Sequence, residues 1–255
     1  MITSMIFFPE KNFYENPADY GFLWEEAVFP AEDGVRLHGW FLSARGGKTP
    51  QPEKGTLLFF HGNAGNISGR LSKAKGWVER GFSVFLVDYR GYGKSEGTLG
   101  HEEEVLKDAR GAWHYLTGVK KTEPSKIVLY GESLGTYPAI VLAGEHPATA
   151  LLLEAPFTSF LDLAGVHYPF VPKGLLKNFS FSNIDRIGDV RCPVFILHGT
   201  RDEICPYALA RKLFEKAPGR KEFFSVPGGM HNDLPAAGGE DYWQKPYAFL
   251  MKGRE

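Results

Sequence analysis

The sequence predicts an α/β protein with a mostly parallel central sheet flanked by helices. Five runs, TLLFFHG, FSVFLVDYRG, KIVLYG, TALLLEAP and CPVFILHG, are almost continuously apolar. Strands covered on both faces read this way, because neither face meets water and no polar alternation is needed. Between the runs lie stretches with helical spacing, so strand and helix alternate along the chain. The 255 residues suit one domain over 1–255, since α/β folds commonly reach about 250 residues as one unit.

The elements follow in order. Residues 23–30 and 35–42 flank the turn AEDG, and Asp-Gly between two such runs predicts an N-terminal antiparallel hairpin. GGKTPQPEKG (46–55) is rich in Gly, Pro and charge and reads as an exposed loop. In residues 101–116, Val105, Ala109, Ala112, Trp113 and Leu116 recur at helical spacing, and three glutamates crowd the positive end of the helix dipole. Further helices are expected at 68–80, 134–145, 206–217 and 239–252. Residues 156–190 break the alternation. A connection this long exceeds the ~2–6 residues usual in such units, so a small cap over the strand ends is expected there.

Composition excludes several function classes. A net charge of −1 with scattered basic residues offers no field for nucleic acid. No run approaches the ~18 apolar residues of a membrane helix, and MITSMIFFPEKNF lacks the basic start and cleavage site of a signal peptide. A soluble, cytoplasmic chain is expected. Cys192 and Cys205 are too few for a disulfide framework and suit a reducing compartment as buried thiols. No cysteine or histidine spacing suggests a metal site.

In an open parallel sheet, ligands bind beyond the carboxyl ends of the strands. KIVLY leads into GESLG, Gly131 to Gly135, which fits a nucleophile elbow with Ser133 at its corner. A hydroxyl is a weak nucleophile and needs a base within hydrogen-bond reach. Of eight histidines, His38 lies in the hairpin, and His101, His114 and His146 fall at helix ends or faces. His61 and His198 end strands before a glycine and read as packing residues, while His167 lies in the cap. His231 follows the last strand on the loop PGGMHND and is the candidate base. Asp202, in the loop TRDE, is the candidate acid that would fix the imidazole tautomer. Glu203 is its neighbour and rival, and Asp233 is too close in sequence to His231. For the oxyanion, donors are expected at the backbone N–H of Leu134 and of Asn63 in HGNAGN, with Ala64 as the alternative to Asn63. Phe157, Phe160, Leu161, Tyr168 and Phe170 of the cap, with Leu175 and Leu176, are candidates for an acyl-binding groove, though packing of the cap explains many such aromatics equally well.

HGNAGN, DYRGYGKSEG, GESLG, HGTRDEI and GMH, in this order over about residues 20–250, resemble the α/β-hydrolase superfamily. More narrowly the chain is similar to small serine hydrolases that often carry an N-terminal membrane anchor and count protein depalmitoylases among their relatives. The resemblance implies Ser133 as nucleophile, Asp202 as acid and His231 as base, acting on a small-molecule or acylated substrate without cofactor or metal. IFFPE resembles the segment that follows the anchor in such relatives; the chain as given is expected to be soluble, and membrane-associated if an N-terminal anchor has been removed.

The expected activity is hydrolysis of a carboxylic ester or thioester through an acyl-enzyme on Ser133. It becomes competent as the base loses its proton, which an ordinary imidazole does near pH ~6.5. Two other readings stand beside it. One is a catalytically inactive protein of this fold that binds a ligand or partner. The other is a dinucleotide-binding oxidoreductase, with Asp88 at the end of its strand as the ribose-binding acid. The spacing of Gly62 and Gly65 does not match a dinucleotide fingerprint.

Overall fold

The computed structural model describes residues 7–46, 50–167 and 179–252. Two compact units divide the chain, Met1–Leu129 and Tyr130–Glu255.

In the first unit, β1 (Leu23–Pro30) and β2 (Arg36–Ser43) form the expected antiparallel hairpin, pairing from Leu23↔Ser43 to Pro30↔Arg36. Its turn closes through Ala31 N–H on Val35 O at 2.8 Å, with Gly34 at φ 86°, a conformation open to glycine. β2 runs antiparallel to β4 (Phe82–Asp88), and β4 runs parallel to β3 (Gly55–Phe60), so the strand order is β3-β4-β2-β1. Every residue of β3 and β4 is buried, as their unbroken apolar runs require. The helices are α1 (Leu71–Val78) and α2 (Glu102–His114). Glu104 caps the start of α2 by accepting the N–H of His101 at 2.9 Å.

The loop after β4 is fastened by charge. Arg90 donates through Nε to Asp108 Oδ1 at 2.8 Å and through both terminal nitrogens to Asp33 at 2.9 and 3.0 Å. It thus joins this loop to α2 and to the hairpin turn. The forked guanidinium suits two carboxylates at once, which a lysine ammonium would not.

In the second unit the strand order is β8-β7-β6-β5, with β5 (Ile127–Glu132), β6 (Ala150–Glu154), β7 (Val194–Gly199) and β8 (Lys221–Val226). β6, β7 and β8 are parallel, with Leu151↔Val194 and Lys221↔Val194 setting the register. The helices of eight residues or more are α3 (Thr136–Glu145), α4 (Phe160–His167), α5 (Tyr207–Lys216) and α6 (Leu234–Met251), with one short turn of helix at Asn183–Arg186. α6 starts earlier than expected. The run LPAAGG looks like a loop, yet its proline occupies the first helical turn, where a missing N–H costs nothing. Gly239, at φ 54°, then breaks the helix into two segments. Among the described residues no helix is long and apolar enough to cross a membrane.

A buried polar cluster ties α6 to the sheet. Glu154, the last residue of β6, accepts from Tyr242 Oη at 2.8 Å and from Tyr130 Oη on the same oxygen. The two phenols lie 3.3 Å apart. Burial, and then the charge of Glu154, push both phenols well above the ordinary tyrosine range, so both remain donors. Tyr242→Phe is expected to lower the unfolding free energy by about 1–3 kcal/mol, since a buried acceptor loses a donor that water cannot replace. The loss should appear as a lower urea midpoint at unchanged slope. A midpoint equal to that of the unmodified protein would show that Glu154 does not depend on this phenol.

Candidate active site

Ser133 sits directly after β5, at the corner that leads through a 3₁₀ turn (Ser133–Gly135) into α3. Its φ of 52° is left-handed, a conformation that costs a non-glycine residue on the order of 1–3 kcal/mol. The corner is tight. A Cβ on Gly131 would lie 2.5 Å from Gly135 O and 2.6 Å from Thr136 Cα, so the first glycine of GESLG has no room for a side chain. Thr136 Oγ1 donates to Ser133 O at 2.6 Å and accepts from Asn183 Nδ2 at 3.0 Å, which braces the corner from within.

The loops after β7 and β8 are zipped to one another. Thr200 N–H donates to Val226 O at 3.0 Å, Arg201 N–H to Gly229 O at 2.9 Å, and Gly228 N–H to Thr200 Oγ1 at 2.8 Å. Gly199 and Gly229 permit the approach, for a Cβ on Gly199 would stand 2.2 Å from Gly229 O. These bonds bring Asp202, on the first loop, beside His231, on the second.

The three residues expected to act together do meet. His231 Nδ1 lies 2.8 Å from Asp202 Oδ2, and His231 Nε2 lies 3.1 Å from Ser133 Oγ. Asp202 is buried and ionised. Its Oδ1 accepts the N–H groups of Ile204 and Cys205 at 2.9 and 2.7 Å. Burial alone would raise its pKa. Hydrogen bonds from His198 and His231, with the charge of His231 and the Cys205 N–H, outweigh burial and hold the carboxyl below the usual carboxylate range. With Asp202 as acceptor, His231 carries its proton on Nδ1 and leaves Nε2 free to accept from Ser133. The rivals have other places. Glu203 is exposed, and Asp233 accepts Met230 N–H at 2.7 Å through Oδ1.

His198 is more than the packing residue its sequence context suggests. It is fully buried, with Nε2 2.7 Å from Cys205 O and 3.3 Å from Asp202 Oδ2. Only its place four residues ahead of the acid sets it apart in the sequence from His61, which also precedes a glycine. Cys192 and Cys205 are both buried free thiols.

The HGNAGN loop is described within the first unit. Asn63 is half-buried, and Tyr92 Oη donates to its carbonyl at 2.8 Å. Ala64 is exposed and pairs with Phe8 in a short parallel ladder. Leu134, the other expected donor, is buried in the 3₁₀ turn of the second unit. Asp88 is fully buried, accepts Ile67 N–H at 3.0 Å, and is flanked by His38 and His61 at 3.5 and 3.7 Å. That surrounding leaves it no face for a ribose. Of the cap residues, Phe157 is buried against Phe160, whose ring also meets Phe181 at 5.0 Å, while Phe160 and Leu161 are half-buried. Tyr168, Phe170, Leu175 and Leu176 lie outside the described residues. His167, at the end of α4, reaches the acid loop with Nε2 2.8 Å from Ile204 O. Among the described residues no group of three His, Cys, Asp or Glu side chains is arranged to hold a metal ion.

Strand-end loops carrying a Ser–His–Asp relay, on parallel strands layered with helices, define an α/β-hydrolase arrangement. The comparisons agree. A family model described as serine aminopeptidase, S33, matches residues 51–180. An α/β hydrolase domain-containing protein of Arabidopsis thaliana, WAV2, is 37% identical over 95% of this chain and 83% of its own length. The Xenopus laevis α/β hydrolase domain-containing protein 17C is 36% identical over 70% of this chain and 56% of its own length. Among solved structures, an esterase of Pyrococcus furiosus shares the fold with a TM-score of 0.78 at 18% identity, over 98% of both chains. The chain belongs to the α/β-hydrolase superfamily.

Proposed function

We propose that this protein is a serine hydrolase that cleaves carboxylic esters or thioesters through an acyl-enzyme on Ser133. The observation that carries the reading is the continuous relay from Ser133 Oγ to His231 Nε2 at 3.1 Å and from His231 Nδ1 to Asp202 Oδ2 at 2.8 Å. Ser133 Oγ attacks the acyl carbon while its proton passes to His231 Nε2. The bond to the leaving alcohol or thiol then breaks as His231 returns that proton to it. Water repeats the sequence in reverse roles, giving the acid and free Ser133. The N–H group of Leu134, the residue after the nucleophile, is the proposed oxyanion donor. The imidazolium formed in each half-reaction is stabilised by Asp202.

An apolar acyl group is favoured by the chain around the relay. Ile204 and Met230, close in sequence to Asp202 and His231, are large apolar side chains left 44% and 45% exposed. A p-nitrophenyl ester series from acetate to decanoate tests this. The value of kcat/KM is expected to rise about fourfold per added methylene until the groove is filled, as a buried CH₂ is worth about 0.8 kcal/mol. A series that falls from acetate onward would discard the apolar acyl group. Failure of the folded protein to react with a fluorophosphonate would discard the hydrolase.

A further inference from the structure

We propose that His198 is a positioning residue for the candidate acid, a neutral imidazole whose Nε2–H steadies the Asp202 carboxylate and its loop. The proposal rests on the reading of Ser133, His231 and Asp202 as a working relay.

The tautomer follows from the partners. Nε2 faces two acceptors, Cys205 O at 2.7 Å and Asp202 Oδ2 at 3.3 Å, so it must carry a proton. Nδ1 is buried with no hydrogen-bond partner among the described residues. A second proton there would be a buried, unpaired donor on a charged ring, and its desolvation cost keeps the imidazole neutral. The hydrogen points mainly at Cys205 O, the shorter contact, and is shared with the carboxylate.

This arrangement does two things. It anchors the loop that carries Asp202, because the His198 side chain, near the end of β7, grips the carbonyl three residues beyond the acid. It also gives Oδ2 a second donor, so the negative charge of Asp202 is not spent on His231 alone. The titratable groups at Asp202 are His231 and His198 on Oδ2 and the Cys205 thiol, which burial, and then the charge of Asp202, push up and keep protonated. The ring edge of His198 meets Tyr207, 5.9 Å between centroids, which fixes its plane from α5. The Cys205 thiol also has Ser133 as a hydrogen-bond neighbour, but His198 meets only the Cys205 carbonyl and the Asp202 carboxylate, so it acts through the acid and its loop.

The consequence is a distinct kinetic signature. With the Nε2–H removed, the charge on Oδ2 falls more fully on His231 Nδ1–H, the imidazolium is favoured, and the acid limb of the pH profile moves up. The loosened acid loop also lowers kcat, while KM changes little because His198 does not reach the substrate side.

The test compares the unmodified protein, His198→Leu and His198→Gln on p-nitrophenyl acetate across pH 5 to 9, with the histidines of the unmodified protein read by ¹⁵N NMR. For His198→Leu the expected result is a kcat about tenfold lower, a KM within about twofold, and an acid limb about one unit higher, the lower end of the scale of one hydrogen bond to a charged acceptor. His198→Gln, whose amide nitrogen can stand near the position of Nε2, should recover most of both. The ¹⁵N shifts at pH 7 should show one histidine with its proton on Nε2 and a bare Nδ1. An acid limb and kcat unchanged in a folded His198→Leu would overturn the proposal, as would a purely structural loss that leaves the limb in place. If neither variant folds, the tautomer decides: a proton on Nδ1, or an imidazolium at pH 7, overturns it. Fluorophosphonate labelling of the unmodified protein separates the two levels. If it labels and His198→Leu behaves as unmodified, only the role of His198 is lost; if it does not label, the relay reading fails and the positioning role falls with it.

Discussion

Ser133→Ala is expected to turn over esters about 10⁵–10⁶-fold more slowly than the unmodified protein, because removing one relay member disables the unit. It also loses fluorophosphonate labelling. The residual rate above water would come from the oxyanion donors and substrate binding, which alanine leaves in place. Folding should survive, because alanine keeps the small Cβ that the corner already accommodates. Ser133→Gly sharpens the test. The residue stands at φ 52°, where glycine carries no steric penalty. This variant is expected to be inactive and about 1 kcal/mol more stable than Ser133→Ala, opposing effects that mark strain held for function. Equal stability of the two variants would remove the argument from strain, and full labelling of Ser133→Ala would remove the nucleophile.

Asp202→Asn is expected to lower kcat by about 10⁴-fold with the fold intact, the scale on which such a relay loses its carboxylate. The physical cause lies in the donors around Asp202. Ile204 and Cys205 present N–H groups to Oδ1, while His231 and His198 present theirs to Oδ2. An asparagine has only one acceptor oxygen. With that oxygen on the backbone donors, its NH₂ faces His231 Nδ1 and forces the proton to Nε2. The imidazole then donates toward Ser133 and can no longer take its proton. Glu203→Gln, at the exposed neighbour, should leave kcat unchanged. Stability adds a second readout. The folded carboxyl titrates below the unfolded one, so its contribution is present above about pH 4 and is lost as pH falls through the lower folded value. Asp202→Asn should lack that acid-side loss. A variant with near-normal kcat would place the acid elsewhere.

Much of this site is legible in the sequence because its parts follow buried strands. Ser133, Asp202 and His231 each come a few residues after an apolar run, and strand ends are where such folds place ligands. The choice of Asp202 over Glu203 was open, since both follow β7; only the Cys205 and Ile204 N–H groups, which fold the loop around one carboxylate, decide it. His198 was hidden for a related reason. A histidine ending a strand before glycine looks the same whether it packs, as His61 does against Tyr89, or reaches an acid. The start of α6 was missed because Gly238 and Gly239 outweigh a helix pattern in any short window. Glu154 and Tyr242 lie 88 positions apart, and no local pattern announces a contact of that separation.

The connection over residues 156–190, the expected cap, runs from β6 to β7, and those two strands are direct neighbours paired in fixed register from Leu151↔Val194 to Glu154↔Leu197. The distance its ends must span is therefore set by the strands and not by its own length. Closing a longer loop between fixed ends adds only about 0.6 kcal/mol per doubling. The relay, meanwhile, is held by the corner after β5 and by the zipped loops after β7 and β8, and residues 156–190 touch these at two points, Asn183 on Thr136 Oγ1 and His167 on Ile204 O. A replacement segment of different length and shape that keeps those two contacts should change what the protein accepts while leaving how it reacts untouched, which makes this connection the natural place for both divergence and redesign.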